Sequence, residues 1–302
     1  MRFDSYHPTI NFIFFTAVIT FTILFRHPAY LAISFVSAFV YSVKLNGKKA
    51  VVFNASLILL IAVYAAFYAS YNHFGVTNIG ENAVGNMITL ESIIYGALIG
   101  SIIAAALMWL SCVHSVVSSD KAIYLFGRIT PKLSLFLSIS LRMVPHIKDR
   151  ARKINTAQRA IGRGANQGNF GRRCRNAIRL ISIVITWTLE NMIETSDSMR
   201  SRGYALKGRT AFSIYRFDNR DRSFIISLFC AITVVLAGFA LDQMRVLYDP
   251  QIVMNPITPL SYLFYAAYAF LCLLPMALQI IGEWKFVQLR KRNMQTESGG
   301  LL

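Results

Sequence analysis

Six stretches of this chain are apolar and uncharged over lengths that match or approach the hydrocarbon thickness of a bilayer. They run roughly over 10–25, 30–43, 51–70, 92–113, 223–241 and 260–281. A helical span needs about 20 apolar residues. The last four stretches meet that length, and the first two are short. Those two flank His27-Pro28, so they read either as two spans or as a re-entrant hairpin, and two spans is the preferred reading. The first run is followed by further spans and by no small-x-small site, so it does not read as a cleavable signal peptide. The expected fold is all-α: a polytopic membrane protein of about six transmembrane helices.

Charge decides the orientation. The chain carries 31 Lys+Arg against 14 Asp+Glu, a net +17. With the N-terminus inside, only Arg26 and Arg245 of the basic residues fall outside. The short loops agree among themselves, as the positive-inside rule requires: Lys44, Lys48 and Lys49 lie inside, whereas the 72–86 loop has no Lys or Arg and carries Glu81. The expectation is a multi-pass plasma-membrane protein with both termini cytoplasmic. It divides into an N-terminal bundle of about four spans (1–113), a cytoplasmic region (114–222), and C-terminal spans with a basic tail (223–302).

The cytoplasmic region holds the distinctive chemistry. Between Arg142 and Arg179 there are eleven Lys/Arg and one acid, Asp149. Ile147, Ala151, Ile154 and Ile161 recur at helical spacing on one face, with Lys148, Arg152, Arg159 and Arg163 on another. Residues 165–171 read as a turn. A second helix is expected from about Asn176 to Arg202, with Ile178, Ile181, Ile185, Leu189, Met192 and Met199 along one side. It should end at Gly203, where glycine supplies a left-handed C′ residue and arginines suit the negative end of the dipole. On pattern alone, solvated or lipid-facing surface and a dedicated partner site are equally good readings of the arginines.

Here the sequence resembles a known family, the transmembrane T component (EcfT/CbiQ-like) of energy-coupling factor ABC importers of vitamins and metal ions. The resemblance covers most of the chain and is strongest over 131–210. Leu141-Arg142-Met143-Val144-Pro145 is similar to the family's L-R-x-x-P segment, and Ala157-Gln158-Arg159-Ala160 to its A-Q-R-A stretch. Ser201-Arg202-Gly203, followed by Tyr204, resembles the second of two short Ala-Arg-Gly motifs at helix ends. The first motif falls on Ala160-Ile161-Gly162, with isoleucine in place of arginine. Either Arg159 or Arg163 takes over there, or that contact is weakened. The resemblance implies long cytoplasmic coupling helices on two ABC ATPase subunits, a homodimer or a heterodimer. It also implies a membrane-embedded S component that binds the substrate. The ATPase-docking residues it implies are Ser201, Arg202 and Gly203 at one end, with Arg159, Ala160, Gly162 and Arg163 at the other. A guanidinium fork can bind a carboxylate there through two hydrogen bonds.

Other features weigh against competing classes. Residues 203–210 come close to a phosphate-binding P-loop, but Arg209 stands for the lysine and the stretch follows a helix instead of a strand. The four cysteines and five histidines are scattered, so neither a metal site nor a disulfide framework is expected. No cofactor and no catalytic residue is expected: Glu190, Glu194 and Asp197 share a helix face without a histidine, and surface pairing with Arg200 is the expected role. The basic region lacks the aromatic interleaving of a nucleic-acid binder. The alternatives kept open are the permease of a conventional ABC importer and, further off, a membrane enzyme. Ser92, Gly96, Gly100 and Ala104 form a small-residue ridge for close helix packing, within the chain or between subunits. The topology has a direct test. In a background without native cysteines, cysteine at Asn82 should react with an impermeant thiol reagent on intact cells, and cysteine at Asn169 should not. External labelling at position 169 would overturn the orientation.

Overall fold

The computed structural model describes residues 3–72, 74–81, 87–129, 131–204, 206, 215, 217–243, 246–249, 252–256 and 258–299, with main chain alone over 126–129, 131–134 and 291–299. Asn82, Arg216, Arg245, Lys207 and Arg209 lie outside them. The chain forms two compact units, one of Met1–Ser118 with Tyr215–Leu302 and one of Ser119–Ile214.

The first unit is a helical bundle of α1 (Pro8–Leu24), α2 (Pro28–Asn46), α3 (Lys48–Tyr71), α4 (Leu90–Val116), α8 (Asn219–Ala240) and α9 (Pro259–Gly299). The second contains α5 (Ser119–Ile129), α6 (Pro131–Ala160) and α7 (Phe170–Ser201). Two short antiparallel hairpins complete the bundle: β1 (Asn78–Glu81) with β2 (Met87–Thr89), and β3 (Val246–Leu247) with β4 (Val253–Met254). Among the described residues, five helices are long and apolar enough to cross a membrane, namely α2, α3, α4, α8 and the 259–290 part of α9; α1 is a shorter apolar helix of 17 residues. The protein is thus an all-α, multi-pass membrane protein. The 10–43 stretch forms two separate helices. Each begins at a His-Pro pair, where the imidazole Nδ1 accepts from the main-chain N–H two residues on: Thr9 to His7 at 3.3 Å, Ala29 to His27 at 3.2 Å. Both helices thereby carry a capped start with proline at N1, the position where its missing N–H is harmless. Burial lowers the pKa of His27, which keeps its ring in the neutral form that the cap needs.

Large apolar side chains such as Val52, Leu59, Val63 and Phe67 stand outward along α3, each more than 60% exposed. In water so continuous a stripe would drive association, and in a bilayer it faces lipid. Inside the bundle, Phe14, Tyr30, Tyr41, Trp109, Tyr268 and Leu271 are among the side chains fully shielded. They surround a polar knot. Trp109 Nε1 donates to Ser34 Oγ at 3.0 Å, Thr22 Oγ1 lies 2.6 Å from Ser34 Oγ, and Tyr268 OH lies 3.3 Å from Thr22 Oγ1. Four helices, α1, α2, α4 and α9, meet at these hydroxyls. In hydrocarbon such bonds contribute about 0.6–2 kcal/mol each.

The two ends of the bundle differ in charge. Lys44 pairs with Glu283 at 2.7 Å at one end, where Ser115 also donates to Asn46 at 2.7 Å. At the other end Tyr248 donates to the Arg26 carbonyl at 2.8 Å, and Glu91 accepts from Thr77 Oγ1 at 2.8 Å to tie the first hairpin to α4. Lys48, Lys49, Arg222 and Lys285 follow Lys44 at the first end in the chain's alternation, so the basic residues gather there.

The ridge of Ser92, Gly96, Gly100 and Ala104 is turned inward, and α3 lies against α4 along it. A β-carbon built on Gly96 would stand 2.9 Å from Tyr68 Cβ and 3.1 Å from Ala65 Cα; on Gly100 it would stand 3.3 Å from Ile61 Cα. Main chain, which cannot rotate away, forms much of that wall. Gly96→Ala should therefore destabilise the protein by about 1–3 kcal/mol, as overpacking does. Gly80→Ala, in open space, should stay within about 0.5 kcal/mol of the parent. Thermal melts of the detergent-solubilised variants compare the two.

Candidate functional site

The second unit is built on α6 and α7, which at 30 and 32 residues are about 45 and 48 Å long. The helix expected from Asn176 starts earlier, at Phe170 behind the Asn169 cap. Arg172, Arg173 and Arg175 are solvated and favour helix, which outweighs Gly171. Upstream, α6 begins at Pro131 and runs through Pro145, with α5 packed on it.

The α7 helix carries two apolar faces. Leu180, Ile183, Val184 and Trp187 are buried or half-buried, and opposite them Ile147, Ala151 and Ile154 of α6 are half-buried. Arg150 stacks its guanidinium over Trp187 at 4.3 Å, closing this seam. The stripe read from the sequence, Ile178, Ile181, Ile185, Leu189 and Met192, lies on the other side and is 47–63% exposed. The exposed stripe repeats in the sequence without a break, whereas Thr188 and Asn191 interrupt the packed one and hide it.

The connector between the helices is closely hydrogen-bonded. Ala165 N donates to Asn155 Oδ1 at 3.1 Å, Asn176 Nδ2 to the Gly164 carbonyl at 3.1 Å, and Gly164 N to Gln167 Oε1 at 2.9 Å. The stem of Arg159 lies so tightly against Gly164 that no β-carbon fits there.

The two helix ends are geometric twins. At α6, Gly162 N donates to the Arg159 carbonyl at 3.1 Å and Arg163 N to the Gln158 carbonyl at 2.8 Å, with Gly162 at φ +74°. At α7, Gly203 N donates to the Arg200 carbonyl at 3.1 Å and Tyr204 N to the Met199 carbonyl at 3.2 Å, with Gly203 at φ +75°. Both are Schellman caps, with glycine in the left-handed C′ position. Ile161 and Arg202 therefore occupy the same cap position, and both are exposed. Ile161 is no part of the buried α6 face on which its spacing placed it: the left-handed turn at Gly162 takes it out of the helix. Arg163 follows one residue beyond the glycine and is exposed. Ser201 donates to the Ser198 carbonyl at 2.9 Å, and Ala160 ends α6.

The basic residues of the region are mostly solvated. Asp149 reaches Arg152 at 4.0 Å, and among the described residues no ion pair joins Arg200 to Glu190, Glu194 or Asp197. The expected surface pairing is thus not formed, although Asp197 stands one helical turn before Arg200 on the same face. Among the described residues, no cluster of His, Cys, Asp and Glu could hold a metal ion.

A bundle with an apolar exterior and a strongly basic helix pair mark this chain as a multi-pass membrane protein. Residues 5–212 match the family described as CbiQ, cobalt transport protein. The chain belongs to this family. It is 28% identical over 205 residues to the energy-coupling factor transporter transmembrane protein EcfT of Lactobacillus helveticus, which covers 65% of this chain and 70% of that one. It is 35% identical over 98 residues to the EcfT of Listeria innocua, 32% of this chain and 37% of the other, and 28% identical over 160 residues to that of Streptococcus thermophilus, 53% and 60%. The matched stretches thus span from about a third to somewhat over two thirds of these relatives. The likeness to an energy-coupling factor T component stands on these findings.

The glycine caps can be tested directly. Placing a β-carbon on a left-handed residue costs about 1–2 kcal/mol, so Gly203→Ala should speed hydrogen exchange of the Gly203 and Tyr204 amides by roughly 5- to 30-fold. Gly171→Ala, at an open helical site, should leave them unchanged.

Proposed function

We propose that this chain is the non-catalytic scaffold of an energy-coupling factor importer. It would couple ATP hydrolysis by two ABC ATPase subunits to uptake of a vitamin or metal ion through a membrane-embedded S component. The observation that carries the reading is the pair of long helices with twin Schellman ends, one of which presents Arg202 at the cap. Each such end offers a rigid, solvent-facing side chain to a groove on a partner. The uncovered stripe from Ile178 to Met192 suits an apolar partner or lipid, which fits the S component. The chain leaves the bundle after α4 and returns at α8, both at the end that carries Lys44. In this reading that end is cytoplasmic, as are both termini, and the membrane is the plasma membrane.

The α6 end is the weaker ATPase contact in this proposal. Ile161 puts a branched apolar side chain where Arg202 puts a guanidinium. Arg159 is folded back on Gly164, so Arg163 is the better candidate to supply the missing charge. Ser201, Gly203, Ala160 and Gly162 shape the two caps and take no charge of their own to the partner.

Co-purification of ATPase subunits from native membranes tests the mechanism. Breaking a desolvated charge pair costs about 2–5 kcal/mol, so Arg202→Glu should lose most of the bound ATPase. Arg222→Glu, at an exposed position outside the helix pair, should retain it, and Arg163→Glu should fall between. Retention of ATPase by Arg202→Glu at the level of Arg222→Glu would refute arginine docking, and absence of any ATPase from the unaltered chain would favour a different class of membrane protein.

A further inference from the structure

The last helix, α9, has 41 residues, about 61 Å of helix, roughly twice the hydrocarbon thickness of a bilayer. Lys44 of α2 meets Glu283 at 2.7 Å, and this pair marks where α9 leaves the bundle. From Glu283 to Arg290 every residue is exposed, so among the described residues nothing covers that part. It is nevertheless rich in apolar side chains: Trp284, Phe286, Val287 and Leu289 are 49–67% exposed. At about 100° per residue they lie roughly 0, 200, 300 and 140° around the axis, counted from Trp284. The apolar side chains therefore surround the helix instead of forming a stripe. A protein partner covers one face, whereas a ring on all sides suits a medium that reaches every side.

Cations stand at the same end. Lys285 and Arg290 are exposed on the extension, and Lys291 and Arg292 follow in the sequence. One turn beyond Lys44, the Gly47 corner opens α3 with Lys48 and Lys49, both exposed, with no acid in the first turn and no side-chain cap. Two cations at the positive end of a helix dipole are unfavourable for the helix itself. Among the described residues no ion pair engages Lys48, Lys49, Lys285 or Arg290, and Glu283 is already held by Lys44. From Trp284 to Arg290 the helix advances about 9 Å. That is close to the depth of the headgroup layer, about 5–8 Å on each side of the hydrocarbon.

We propose that this end of the bundle binds acidic phospholipids of the bilayer that holds it. The rings of Trp284 and Phe286 sit at the headgroup level, and Lys48, Lys49, Lys285 and Arg290 draw in the anionic headgroups. Basic clusters just beyond a span attract anionic lipid, and tryptophan favours the boundary between membrane and water. The four cations lie on two helices and act together, so the preference rests on no single one of them. Such a surface needs the bilayer alone and no ATPase.

Two measurements on the full-length chain test this. In native mass spectrometry from detergent with equal phosphatidylglycerol and phosphatidylcholine added, phosphatidylglycerol should be retained preferentially. Lys48→Gln, Lys49→Gln, Lys285→Gln and Arg290→Gln together should lower the retention ratio by about fivefold or more, the contribution of at least one basic residue near the surface. An equal loss of charge on α7, by Arg172→Gln, Arg173→Gln, Arg175→Gln and Arg179→Gln, should leave the ratio unchanged. In nanodiscs, nitroxides attached singly at Trp284, Phe286, Val287 and Leu289 should each favour oxygen over a water-soluble nickel chelate more than one at the exposed Asn169 does. The proposal fails if the fourfold variant keeps the ratio of the parent, or if the α7 variant lowers it equally. It fails also if the four nitroxides match the one at Asn169, which would put the extension in water and favour a protein partner there.

Discussion

A bilayer interior offers no hydrogen-bond partner to a peptide group, and most of what the bundle does follows from that. Its crossing segments are helices because each then satisfies its own main chain. Its polar side chains either bond back to their own helix or meet one another, as Ser34 does with Thr22 and Trp109. Ionised groups are pushed to the ends, where Lys44 and Glu283 pair and Tyr248 holds the Arg26 main chain. The same rule leaves apolar side chains such as Val52 and Leu59 outward without penalty, since lipid is as good a neighbour as protein. The lysines and arginines collect instead in the stretch 119–214.

In that stretch the controlling feature is a helix with two apolar faces. Burying a large aliphatic side chain contributes about 1.5–3 kcal/mol. The seam of Leu180, Ile183 and Val184 against α6 takes up one face. The five side chains from Ile178 to Met192 remain uncovered, an apolar surface that a membrane-embedded partner or lipid can use. Arg175, Arg179, Glu190 and Asp197 run along one flank between the two faces, and Ala177 and Thr188 lie on the other.

Much of this was legible in the residues. Apolar length showed the spans, loop charge showed the orientation to expect, and the Gly203 end of α7 was read from glycine and arginine alone. The starts of helices were less legible. The turn read over 165–171 and the helix start expected near Asn176 left out Phe170–Arg175, yet the helix begins at Phe170, with Asn169 at the N-cap position, and the arginines carry it. Ile161 fitted an apolar period that the left-handed Gly162 cuts off one residue sooner. The packed face of α7 was hidden because Thr188 and Asn191 sit in it, and polar residues are tolerated at a half-buried seam between two helices. The guanidinium of Arg220 stacks 4.6 Å above the Tyr6 ring, joining residues over two hundred positions apart. No local pattern records such a contact.

The twin caps separate shape from chemistry at the two helix ends. Their hydrogen bonds match pair for pair, and the φ values of Gly162 and Gly203 differ by only a degree or so. A difference in how the two ends meet their partners must therefore come from side chains. At α7 the cap position holds a guanidinium, which can grip a carboxylate at two points. At α6 the same position holds Ile161, which can gain only by contact with apolar surface. The nearest cation beyond it, on Arg163, starts two residues later and on the far side of the left-handed turn. It approaches any groove from a different direction. An acidic groove that fits the α7 end would leave its carboxylate unpaired against Ile161, and an uncompensated buried charge is costly. Identical grooves at the two ends would therefore bind with unequal strength. Equal binding requires that the partner surface meeting α6 differ, either by lacking the acid or by placing it where Arg163 can reach.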